Sequence, residues 1–125
     1  MRPHENLNLW KKAIEFVVAI YKVTEDFPKD EKFGLTSQLR SASVSIVANI
    51  SEGAARKSTK EFRQFLSHSQ GSASEVDTEL VIAFRLNYIR ESDFHRLTND
   101  DTRRLALDLA GEAGLNRAAL VHRIT

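Results

Sequence analysis

Leu35-Thr36-Ser37-Gln38-Leu39-Arg40-Ser41-Ala42-Ser43-Val44-Ser45-Ile46-Val47-Ala48-Asn49-Ile50-Ser51 is the stretch whose reading decides the fold. Leu35, Leu39, Ala42, Ile46 and Asn49 or Ile50 recur at three- and four-residue spacing, the period of one helix face. A helix starting near Gly34 follows. Its opposite side, Ser41, Val44, Ser45, Val47, Ala48 and Ser51, carries no charge either, and Ser41 to Ser51 is an uncharged run of 11 residues. A helix uncharged all round is expected to be covered all round. A four-helix bundle covers one side, so the other asks for a second subunit, with Ser41, Val44, Ser45 and Ala48 as candidate interface residues. The competing reading is that serine hydroxyls simply face water. Asn49 reads as a hydrogen-bonded core polar residue.

The flanking sequence supplies three more helices. Upstream, Trp10, Ala13 or Ile14, Val17, Ile20 or Tyr21 and Thr24 form an apolar stripe, with Lys11, Lys12, Glu15 and Lys22 elsewhere on the cylinder. Pro28 disfavours helix at Phe27 and marks the first connection. Downstream, Gly53 is expected to end the second helix, because glycine tolerates a left-handed C-terminal cap. Ser58-Thr59-Lys60-Glu61 then has the spacing of a capping box. Phe62, Phe65 or Leu66, Ser69, Ala73, Val76, Leu80 and Ala83 or Phe84 carry a third helix to about Asn87, with Gly71 inside it at a cost of roughly 1 kcal/mol relative to alanine. A bend there and a close backbone approach are both compatible with that glycine. Ser92 is the candidate cap of a fourth helix bearing Phe94, Leu97, Leu105, Leu109, Asn116, Leu120 and Ile124. No alternating strand pattern appears. The expected architecture is all-α, an antiparallel up-down four-helix bundle occupying residues 1–125 as one domain.

Composition narrows the function classes. The chain has 125 residues, 42% hydrophobic and 28% charged, with a net charge of +1, an ordinary globular composition large enough for one core. Without cysteine, disulfides, thiolate metal sites and a cysteine nucleophile are excluded. The longest uncharged run falls short of the roughly 18 residues of a membrane span, and charges at Lys11, Lys12 and Glu15 interrupt any secretory signal, so the expected location is the cytoplasm.

The catalytic inventory is mostly negative. Successive histidines, His4, His68, His95 and His122, stand at least 27 residues apart, and no Glu-x-x-His occurs, so neither the helical zinc spacing nor the di-iron bundle motif is present. No metal site and no cofactor is expected. Gly-x-Ser-x-Gly and phosphate-cradling glycine loops are missing too. Glu75 and Glu79, one helical turn apart with His68 near the same side, form the one conceivable acid/base group. Salt bridging or solvation is the plainer reading of that pair, and the protein is expected not to be an enzyme.

One charge cluster stands out. Between Arg56 and Arg63 the chain holds Arg56, Lys57, Lys60 and Arg63 against Glu61 alone, at a helix start whose unpaired amides favour an anion. A phosphate fits such a place; an ordinary solvated loop tolerates the same charges.

Phe33-Gly34-Leu35-Thr36-Ser37-Gln38-Leu39-Arg40, with Ser43-Val44-Ser45-Ile46 and Asn49-Ile50-Ser51-Glu52-Gly53, resembles the signature of the 23S rRNA intervening-sequence proteins, bacterial four-helix bundles formerly labelled S23 ribosomal proteins. Leu9-Trp10-Lys11-Lys12-Ala13, Tyr21 with Phe27-Pro28, Lys60-Glu61-Phe62, and Gly71-Ser72 followed by Glu75 and Glu79 extend the likeness from about Leu7 to Ile89. Val47 departs from it, since many members carry proline there; the second helix should run straighter for the change. The resemblance implies a cytoplasmic closed ring, often a homopentamer, related to the accessory variability protein of diversity-generating retroelements. In that relative, basic surfaces are proposed to contact nucleic acid and a reverse transcriptase. It implies no catalytic residues. The expectation is therefore a non-enzymatic oligomer binding RNA or DNA through Arg56, Lys57, Lys60, Arg63 and Arg40. The alternative is a protein-interaction scaffold with no nucleic-acid partner.

Overall fold

Every regular element in the computed structural model, which describes residues 8–113, is helical. Helix α1 spans Asn8–Thr24, a short 3-10 turn Lys29–Glu31, α2 Leu35–Ala55, α3 Thr59–Arg85, α4 Glu91–His95 and α5 Arg103–Ala113. A π-helical stretch, Arg96–Thr102, joins α4 to α5 with helical dihedrals at both junctions, so residues 91–113 form one continuous fourth rod. Among the described residues there is no strand.

The buried face of α1 is Leu9, Ala13, Phe16, Ile20 and Thr24. The deepest line thus passes through Phe16, and Trp10 and Val17, expected on the stripe, lie at its edge, half-buried. The α1 stripe predicted from sequence was wide enough to leave this rotation open. Thr24 closes α1 by donating its hydroxyl to the Ile20 carbonyl at 2.7 Å. Asn49 corrects a second expectation: it is only half-buried, and its amide Nδ2 donates to the Ser45 carbonyl (2.8 Å) and Oγ (3.1 Å) on its own helix.

Helix α2 lies between α1 and α3, and the fourth rod packs on α3 and α1, leaving α2 and α5 as diagonal neighbours. Leu39, Ile46 and Ile50 of α2 meet Ile20 of α1, Phe62, Leu66, Val76 and Leu80 of α3, and Leu97 and Leu109 of the fourth rod in one fully buried cluster. At roughly 25 cal/mol per Å² of apolar area removed from water, this cluster is the main stabilising element of the domain.

The junctions correct the sequence reading in two places. Gly53 does not terminate α2, which runs on to Ala55 before Arg56 turns extended. Instead a Cβ at Gly53 would stand 3.0 Å from the Phe65 Cβ and 3.1 Å from the Phe62 ring, so the residue is small because α3 crosses there. Ser92 does not cap the fourth helix either, which starts at Glu91 after an extended Arg90 with no side-chain cap. Among the described residues nothing outside its own helix stands within 4 Å of where a Cβ at Gly71 would lie, and α3 continues through it. Asn116, Leu120 and Ile124 lie outside the described residues.

Other junctions follow known chemistry. Glu31 organises the start of α2: its Oε1 accepts from the Leu35 amide at 3.3 Å and its Oε2 from the Tyr88 hydroxyl at 3.0 Å. It thereby serves a helix N-terminus whose N-cap, Gly34, has no side chain to offer. Helix α3 ends on Asn87 at φ 64°, with the Tyr88 amide returning to the Ala83 carbonyl at 2.9 Å, a left-handed cap that asparagine tolerates.

Candidate nucleic-acid interface and assembly face

The basic cluster is built on the α2–α3 junction. Ser58, extended, accepts the Glu61 amide at 3.1 Å. The return bond of the predicted box takes another form, because the Ser58 hydroxyl donates to Glu61 Oε1 at 3.2 Å. The cap spends the serine on one orphan amide and leaves the start of α3 facing solvent. Lys57 and Lys60 are exposed there, and neither has a carboxylate of the described residues within ion-pair distance. Arg56 is committed otherwise: its NH2 group meets Glu52 at 2.9 Å and its guanidinium lies 4.9 Å from the Phe65 ring centre. That pairing holds Arg56 flat against the bundle and offsets part of its charge. Arg63 is exposed one turn into α3.

Arg40 is not part of this cluster. Its Nε donates to Thr24 Oγ1 at 2.9 Å, a terminal nitrogen donates to the Tyr21 carbonyl at 3.3 Å, and its guanidinium covers the Tyr21 ring at 4.5 Å. Sixteen residues of helix, about 24 Å at 1.5 Å each, separate it from Arg56. It ties α1 to α2, at a distance from the α2–α3 junction.

The expected assembly face is narrower than the sequence reading. Ser51 turns toward α1, where Trp10 Nε1 donates to its Oγ at 3.1 Å, and Val47 is half-buried against the core. Ser45 is half-buried and accepts the Ser72 hydroxyl of α3 at 2.9 Å, while buried Ser69 donates to the Ile46 carbonyl at 2.9 Å. Ser41, Val44 and Ala48 remain exposed on the outer side of α2. Together with Tyr21, Phe33, Ser37 and Ser45 they line one shallow groove.

The acid/base group does not assemble. His68 is exposed, with an edge contact to Phe65, and Glu75 is exposed. Glu79 stands eleven residues beyond His68, about 16 Å along the helix. Glu79 is nonetheless the most unusual side chain here: it is 4% exposed, and neither carboxylate oxygen has a hydrogen-bond partner. Burial first, and the Glu75 charge second, raise its pKa to about 7. Only its spacing from Glu75 was legible in sequence; its burial depends on how α3 is rotated in the bundle. No group of three or more metal-ligating side chains occurs among the described residues, and no described helix is long and apolar enough to cross a membrane.

The profile of the 23S rRNA-intervening sequence proteins matches residues 5–106. The chain belongs to that family. No curated protein matches it. Among solved structures it is similar to a protein of unknown function from the S23 ribosomal protein family of Bacteroides thetaiotaomicron. The two are 24% identical, with a TM-score of 0.76 over 86% of this chain and 99% of the other. That likeness concerns the fold of family members. The matched span contains both surfaces described above, the basic junction and the open side of α2.

Proposed function

We propose that the protein is a non-enzymatic, cytoplasmic accessory protein that works without a cofactor. It assembles through the open side of α2 into a closed homo-oligomeric ring, a pentamer by the family resemblance, and holds RNA or DNA backbones at its α2–α3 junctions. The bundle is antiparallel and up-down, the reading that the Ser45–Ser72 and Ile46–Ser69 pairs support. The observation that carries the nucleic-acid function is the pair Lys57 and Lys60, exposed at the first turn of α3 beside Arg56 and Arg63. Helix amides and cations there act on the same anion. One such patch on a nearly neutral chain binds weakly; several on one ring act at high effective concentration. The contacts are to phosphate, so binding is largely independent of sequence and falls steeply with salt.

Fluorescence anisotropy with short labelled RNA and DNA tests this reading. Wild-type protein binds at low salt, and Lys57→Glu/Lys60→Glu loses affinity at least tenfold for all sequences alike. Equal binding by the double variant, or no binding by the wild type, would favour a scaffold that recruits protein alone, a reverse transcriptase in the systems related by resemblance. The uncharged outer side of α2 suits that second reading equally well.

A further inference from the structure

Arg56 is held differently from the lysines beside it. Its NH2 group meets Glu52 at 2.9 Å, and its guanidinium lies over the Phe65 ring, 4.9 Å from the ring centre. Glu52 thus takes part of the N–H edge that a phosphate would use. The Arg56 side chain nonetheless keeps 43% of its surface in solvent. Phe65 is fixed in turn: it is half-buried, and its Cβ stands 3.0 Å from where a Cβ at Gly53 would lie, at the crossing of α2 and α3. His68, one turn further along α3, makes an edge contact with Phe65, the ring centres 6.1 Å apart, and is itself exposed.

Guanidinium faces and aromatic rings, imidazole among them, are the surfaces on which unpaired bases stack. In a duplex the base faces are covered by their neighbours, so a strand with free bases is what such a surface takes. Arg56 directly precedes Lys57 in the chain, which puts this surface beside the exposed lysines at the start of α3. His68 lies eight residues beyond Lys60, about 12 Å along the helix, and extends the surface away from them. The two carboxylates of this junction are engaged, Glu52 by Arg56 and Glu61 by the Ser58 hydroxyl at 3.2 Å, and the four cations outnumber them. A polyanion is still attracted there.

We infer that Arg56, Phe65 and His68 form a stacking platform for unpaired bases, with phosphates of the same strand on Lys57 and Lys60, so that the protein prefers single strands to duplex. The inference rests on the nucleic-acid reading above and adds which part of the polymer each side chain meets. Arg56 serves the bases, and the two lysines serve the backbone. Stacking tolerates any sequence, because every base presents a π-face. The preference is therefore for strandedness and not for a motif.

Fluorescence anisotropy at low salt tests the platform with three labelled probes: a short DNA strand of mixed sequence, the same strand paired with its complement, and a strand of equal length whose central sugars lack bases. The abasic strand keeps every phosphate, and the duplex carries about twice the charge per unit length. Phosphate contacts alone would hold the two single strands equally and the duplex more tightly. The platform predicts instead that the intact strand binds at least fivefold more tightly than either other probe. Arg56→Lys, which keeps the charge without the planar group, and His68→Ala each weaken binding of the intact strand about threefold or more and leave binding of the abasic strand unchanged. His68→Phe, which returns a ring, regains the loss. Both positions are exposed, and circular dichroism checks that each variant keeps its helix content. Equal binding of the three probes, a tighter duplex, or variants that hold the intact strand like the wild type would overturn the platform and leave the phosphate reading in place. A wild type that binds none of the probes would overturn both.

Discussion

Glu79 shows what a single side chain adds to this bundle. A buried carboxylate without a hydrogen-bond donor is costly in its charged form, and the Glu75 charge one turn away increases that cost. With its pKa raised from 4.5 to about 7, the folded state binds more protons than the unfolded chain between those values. Stability is therefore greatest below the unfolded value, falls as pH rises through the interval, and levels off above about 7. The loss amounts to about 3 kcal/mol at most, at 1.36 kcal/mol per pKa unit. Half-buried Asp101 adds in the same direction, since burial raises its pKa as well. Urea titrations of the wild type should give lower stability at pH 8 than at pH 5, and Glu79→Gln should remove most of that difference. An unchanged pH dependence in the variant would contradict this assignment. The Glu75–Glu79 spacing was visible in sequence, but which of the two is enclosed was not, because they stand only about 40° apart around the helix and a modest rotation of α3 decides which lies nearer the core.

At the scale of elements, local chemistry was the legible part. The cap at Ser58 follows from Ser-x-x-Glu alone, and its serine-to-amide bond is present at 3.1 Å. Ser58→Ala should destabilise the fold by about 1 kcal/mol in a denaturant titration. Glycines were less legible, since their role depends on what passes nearby. Gly71→Ala, with open space around the new methyl, should stabilise by roughly 0.5–1 kcal/mol through helix propensity. Gly53→Ala should instead destabilise by about 1 kcal/mol or more, because its methyl meets Phe62 and Phe65 at 3.0–3.1 Å. Thermal melts of the two variants should move in opposite directions. The π-helical stretch was not legible at all. Leu97 and Leu105 are eight residues apart, slightly more than two α-helical turns, and the widened turn absorbs the excess. Thr98 and Thr102 donate their hydroxyls to the Phe94 and Leu97 carbonyls at 2.7 and 2.6 Å inside it.

For the whole molecule, the uncharged run of α2 and the cation cluster after it are the two features that lead from sequence to function. The first identifies the helix at the centre of the contacts; the second lies at its end, away from the core. Structure divided the α2 run, turning Ser51 to Trp10 of α1 and bonding Ser45 to Ser72 of α3, while Ser41, Val44, Ser45 and Ala48 all line the outer groove. It also shows Arg40, a candidate apart from the basic cluster, engaged by Thr24 and Tyr21 of α1, which sequence could not show because the partners lie on another helix. Val44→Arg, which places an unpaired charge on the open side without touching the core, should reduce assembly at least tenfold by light scattering. The most direct test of the central claim is sedimentation velocity of a fluorescently labelled short RNA with the protein at low salt. The account predicts that the RNA sediments with a protein oligomer, and that Lys57→Glu/Lys60→Glu leaves the oligomer intact while the RNA sediments free. RNA sedimenting free beside the wild type, or a protein sedimenting as the 14.1 kDa monomer, would contradict it.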